Sequence, residues 1–94
     1  MTDRIIIDGK LISSKEEFFS IIRNQVGEDL LVGSNLDALH DVLTSLTVHT
    51  SIEISGEKYL SKRLGSYWKK VLWMISDCLD ENRNLKLVMT EEPD

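Results

Sequence analysis

Apolar positions follow two periods along the chain, and each change of period marks an element. Arg4-Ile5-Ile6-Ile7-Asp8 is a β-branched run ending at Gly9-Lys10, which predicts a strand closed by a turn. Three consecutive isoleucines, Ile5 to Ile7, predict burial on both faces, as in a parallel sheet. From Ser14 the period becomes helical: Phe18, Phe19, Ile22 and Val26 form a stripe, Ser14 and Glu17 are spaced as a capping box, and Gly27 is a stop. Glu28 to Ser34 is a connection unusually rich in apolar residues. Leu36, Leu39, Leu43 and Leu46 then predict a second helix, from Leu36 to Thr44 or slightly beyond, with Ser34 or Asn35 as N-cap.

Val48 to Ser55 alternates and is β-branched, which predicts a second strand. Gly56 to Gly65 reads as a short helix or irregular turn. Trp68, Val71, Leu72, Ile75 and Leu79 fall on one face of a further helix that Ser66 would cap, and Asn84 to Thr90 reads as a third strand. Glu91 to Asp94 is a polar tail expected to fray. Strands separated by helices require crossovers, so the order predicts an α/β domain with a three-stranded parallel sheet packed against helices. No repeat or boundary divides residues 1–94.

Composition narrows the function classes. The 94 residues are 41% hydrophobic, enough for one modest core. The net charge of −5 argues against a nucleic-acid binder and against a protein held on anionic lipid, and favours a basic partner. The single cysteine, Cys78, makes a reducing compartment the default. With no signal-like N-terminus and no membrane-spanning run, the expectation is a cytoplasmic protein.

Enzyme signatures are missing: there is no GxGxxG, Walker loop, HExxH, CxxC or GxSxG. Cys78 has no base beside it in the sequence and reads as a small apolar group. What remains is Asp37, His40 and Asp41, on one side of the second helix. They could serve an acid/base or metal site, with His49 a further ligand if the fold delivered it, or they could form an acidic face for a basic partner. The leucine stripe lies opposite Asp41, so the aspartates point away from the core. Like charges four residues apart cost an isolated helix roughly 0.2–0.5 kcal/mol. The helix dipole offsets this at Asp37, in the first turn, and less well at Asp41. On the last helix, Asp77 and Trp73 share the outer side. There Trp73 either covers a neighbouring loop or the short helix, or serves as an exposed interface anchor.

The run Gly33-x-Asn35-Leu36-Asp37-Ala38-Leu39-x-Asp41-x-Leu43-Thr44, set in this element order, resembles the barstar family of small intracellular inhibitors of secreted bacterial ribonucleases. The resemblance implies a three-stranded parallel sheet with about four helices and a one-to-one complex blocking a ribonuclease active site; on the missing motifs and the low count of ligand residues, no cofactor or metal is expected. It implies that Asp41 sits in the enzyme's phosphate-binding pocket, with Asp37 beside it. Gly33, Asn35 and Thr44 match other positions of the binding segment, and Asp77 matches a further acidic contact. The acidic positions are kept while their aromatic surround is not: Leu31, Val32, His40 and Leu46 stand where the family carries aromatic residues. A different ribonuclease or another nuclease toxin fits this altered rim, with His40 and Trp73 as added contacts. A barstar-like adaptor for another basic protein is a further reading, and the free chain is expected to be a monomer.

Overall fold

The computed structural model describes residues 4–90. Three strands, β1 (Arg4–Asp8), β2 (Thr50–Ser55) and β3 (Leu85–Thr90), form a parallel sheet in the order β1-β2-β3. Four helices connect them: α1 (Lys15–Val26), α2 (Leu36–Ser45), α3 (Glu57–Leu64) and α4 (Ser66–Glu81). A 3-10 turn, Gly9–Leu11, follows β1. The predicted α/β order is therefore observed. β2 begins two residues later than the alternation suggested, and the polar tail lies outside the described residues.

The sheet is covered on one face, not two. Ile5 pairs with Ile52 and Ile7 with Ile54, and all four are buried. Ile6 points the other way and is 43% exposed. On that open face Arg4 donates to both carboxylate oxygens of Glu53, at 2.7 and 2.8 Å. This guanidinium holds the Glu53 carboxyl below its ordinary range. The triple isoleucine is thus an alternating strand whose middle residue happens to be apolar. β1 is an edge strand, and the Gln25 side chain lies against it: its Oε1 accepts from Ile6 N–H, and its Nε2 donates to Ile6 C=O, both at 2.7 Å.

Local chemistry sets the helix ends. Ser14 Oγ accepts from Glu17 N–H at 3.2 Å, while Glu17 Oε1 accepts from Ser13 N–H at 2.8 Å, a capping box displaced by one residue on its return leg. Gly27 ends α1 with φ of +107°, a conformation open to glycine. Ser66 does not cap α4. It is the first helical residue, and Gly65, with φ of +59° and ψ of −133°, turns α3 directly into α4 without a side-chain cap. In the core Phe18 packs edge-on against Phe19 and Trp68, with ring centroids 5.1 and 6.4 Å apart. Trp68 Nε1 donates to Glu57 Oε2 at 3.2 Å, so the indole is buried without stranding its polar atom. Met74 and Cys78 join the predicted apolar face of α4, and Val42 joins that of α2.

Candidate protein-binding face

The geometry of α2 is set at both ends. At its N-terminus Asn35 is the cap: its Oδ1 accepts from Ala38 N–H at 2.8 Å. The loop before it is anchored from below by Leu31, which is fully buried. From α1, Arg23 donates to Leu31 C=O at 2.9 Å, to Gly33 C=O at 3.2 Å and to Ser34 Oγ at 2.8 Å. One guanidinium fork thus reaches three acceptors from two nitrogens, Nε and Nη2, held in a fixed plane, a spread that a single ammonium nitrogen lacks. Gly33 packs against the cap, since a Cβ there would lie 2.9 Å from Asn35 Nδ2.

At the C-terminus the last carbonyls of α2 lack regular helical partners, and Leu43 C=O has only a 3.5 Å bond from Leu46 N–H along the chain. Asn82, the buried residue ending α4, supplies them: its Nδ2 donates to Leu43 C=O and to Leu46 C=O, both at 2.9 Å. Its Oδ1 accepts from Asn84 N–H at 3.0 Å, and Asn84 Nδ2 also donates to Leu46 C=O at 3.3 Å.

Held this way, α2 buries Leu39, Val42 and Leu43 and leaves Asp37 and Asp41 in solvent, the Asp41 side chain being 86% exposed. His40 is half-buried at the boundary. Its Nε2 lies 2.7 Å from Glu81 Oε2 on α4, and its Nδ1 lies 4.0 Å from Asp41 Oδ1. Thr44 is turned inward on its own helix, its hydroxyl donating to His40 C=O at 2.8 Å. Trp73 is 79% exposed, so it covers neither a loop nor α3. Trp73, Asp77 and Glu81 are four residues apart and line one side of α4, and Glu81 ends that row against His40. His40 therefore contacts Glu81 and stands near Asp41, Asp37 is one turn along α2, and Asp77 and Trp73 are one and two turns along α4.

Sequence reasoning missed Arg23, Glu81 and Asn82. Only Glu81 had a local signal, its four-residue spacing from Asp77. The rim positions also separate: Leu31 is an internal anchor, Val32 is 81% exposed, and Leu46 is half-buried.

Beside the acidic face lies an open, mostly apolar cavity of about 590 Å³ between the end of α1, the Leu30–Gly33 loop, α2 and the segment leading to β2. Asp41 lines it, whereas Asp37 and His40 do not, so these three groups share no concave site. Among the described residues no three His, Cys, Asp or Glu side chains gather as metal ligands would. Burial, reinforced by the charges of Glu81 and Asp77, pushes the Cys78 thiol up to about 11, which removes it as a nucleophile near neutral pH. No helix among the described residues is long and apolar enough to cross a membrane.

Residues 2–90 match the family described as Barstar (barnase inhibitor), and the chain belongs to that family. No curated protein matches it.

Proposed function

We propose that the chain, as a member of the barstar family, inhibits a basic bacterial ribonuclease toxin by covering its active site in a one-to-one complex. The observation that carries this reading is the fixed, outward acidic face of α2. A ribonuclease site holds phosphate with cationic side chains, and a helix carboxylate offers them the same charge-assisted hydrogen bonds. In this reading Asp41 takes the place of a substrate phosphate. Asp37 lies beside it, and Gly33, Asn35 and Thr44 shape the segment that presents them. His40, Asp77 and Trp73 make flanking contacts from the two helices. Because Arg23 and Asn82 fix α2 before any encounter, little ordering remains to be done on binding. The net charge of −5 would steer a basic partner and make association fall with salt. The chain then acts in the cytoplasm as an immunity protein, without itself catalysing a reaction or contacting nucleic acid.

The test is inhibition of RNA cleavage across a panel of basic bacterial ribonucleases, barnase among them, at two salt concentrations. Wild type should inhibit at least one stoichiometrically. Asp41→Ala, with an unchanged circular dichroism spectrum, should weaken that complex by roughly 2–5 kcal/mol, about 30-fold or more. An Asp41→Ala variant that inhibits as tightly as wild type would overturn the role of Asp41, and no inhibition across the panel would overturn the function.

A further inference from the structure

We infer that the cavity beside Asp41 is a binding site for an apolar cation, a group with a hydrophobic body and a positively charged head. This rests on the inhibitor reading for its natural occupant, a Lys or Arg side chain of the nuclease with its stem buried, but its chemistry is set by the cavity. At about 590 Å³ it falls in the range of pockets that enclose small molecules, roughly 300–1,000 Å³. Val26, Val42, Leu46 and Val48 line its walls, and Leu30 and Val32 stand at 59% and 81% exposure. Clustered exposed aliphatic side chains mark an interaction site. Asp41 is the one charged group in the lining, and no Lys, Arg or His is there to compensate it. The Asp41 side chain is 86% exposed and stands at the mouth of the cavity, so a cation paired with it can rest an apolar body on the walls below.

The walls are fixed rather than fluid. Arg23 ties the Leu31–Ser34 loop on one side, and Asn82 and Asn84 hold the Leu46 carbonyl on the other. Gly33 and Asp41 belong both to the cavity and to the acidic face, so one partner can engage the two together. Aliphatic Val32 and Leu46 are part of this lining. Two of the four altered rim positions thus contribute to the hydrophobic wall of the site.

Benzamidinium, a flat apolar cation, is the probe, and neutral benzamide is its control. Titrated into the 15N-labelled chain at low salt, benzamidinium should give saturable amide shifts at Gly33, Asp41, Val42 and Leu46. Benzamide should bind about tenfold more weakly or not at all, and Asp41→Asn should cost benzamidinium a similar factor, the scale of one charged hydrogen bond. Ser45→Phe, which places a ring in the cavity from an exposed lining position, should block the probe while the spectrum stays dispersed. Absence of saturable shifts, or binding indifferent to both the probe's charge and Asp41, overturns the site. In ribonuclease assays Ser45→Phe should weaken inhibition. Equal inhibition by Ser45→Phe and wild type overturns the cavity's part in the complex and leaves the inhibitor reading intact. Benzamidinium binding in a chain that inhibits no ribonuclease supports the site and overturns the inhibitor reading instead.

Discussion

The two ends of α2 solve the same problem in different surroundings. Each leaves backbone groups without helical partners: at the N-terminus the local cap Asn35 accepts from one of them while Arg23 holds the loop before it, and at the C-terminus Asn82 of another helix donates to them. At the N-terminus the cap is exposed and the clamp comes from Arg23, at the surface of α1. At the C-terminus the partner is Asn82, which is only 8% exposed and joins α2 to α4. Water can replace a lost bond at the exposed cap and at Ser34 more readily than at the buried Leu43 carbonyl. The C-terminal end should therefore carry stability, and the N-terminal end the precision of the binding loop.

The strongest way to break this comparison is Asn82→Ala. It leaves the buried Leu43 carbonyl with only a long 3.5 Å bond from Leu46 N–H, and the Leu46 carbonyl with only Asn84, and should cost roughly 1–3 kcal/mol in urea unfolding with little change in slope. A loss below about 1 kcal/mol would mean that water enters there and the contrast is wrong. Cys78 reports on the same end, because its carbonyl accepts from Asn82 N–H at 2.8 Å and its thiol is buried. At pH about 8 it should resist alkylation in the native chain, its thiol lying near 11. In Asn82→Ala the labelling rate should rise by about the factor by which folding weakens, whereas changes at the other end should leave it nearly unaltered.

Arg23→Ala should reverse the pattern. Stability should fall by about 1–2 kcal/mol, because the guanidinium's bonds are only partly buried. Inhibition should fall by about tenfold or more, as the loop then has to be ordered on binding. Arg23→Lys should behave more like alanine than like wild type in the inhibition assay, since one ammonium nitrogen cannot stand at both the Nε and Nη2 positions from which the three acceptors are reached. A variant that loses stability without losing inhibition would show that the loop is fixed by Leu31 alone. The mildest change is Asn35→Ala, the loss of one exposed cap, expected to cost about 1 kcal/mol by thermal unfolding. Asn35→Gly should cost only a few tenths of a kcal/mol.

The same contrast explains what the sequence revealed. The apolar stripes, the Ser14 and Asn35 caps and the outward aspartates depend on residues within one or two turns, so spacing exposes them. Arg23 and Asn82 act on α2 from 8 to 11 and from 36 to 39 residues away, and no local pattern distinguishes them from other surface polar residues. Ile6 misled for the opposite reason: three isoleucines in a row carry no period, so only the packing of helices on one side shows which is left outside. The acidic face was legible because its residues lie on one helix. The cavity was not, because its walls form only when the fold brings Ile5, the Val26–Gly33 stretch and the Ala38–Val48 stretch around one space.

Gln25 has a bearing on life in a crowded solution. An exposed sheet edge invites another extended chain to add itself, and β1 ends the sheet on one side. With its carboxamide paired to both polar atoms of Ile6, Gln25 imitates a single residue of that missing neighbour. An incoming strand would first have to displace a pair of 2.7 Å bonds that cost the protein no strand of its own. A primary amide, the side chain that most resembles a peptide link, thus lets the sheet stop at three strands without leaving its rim adhesive at the middle of β1.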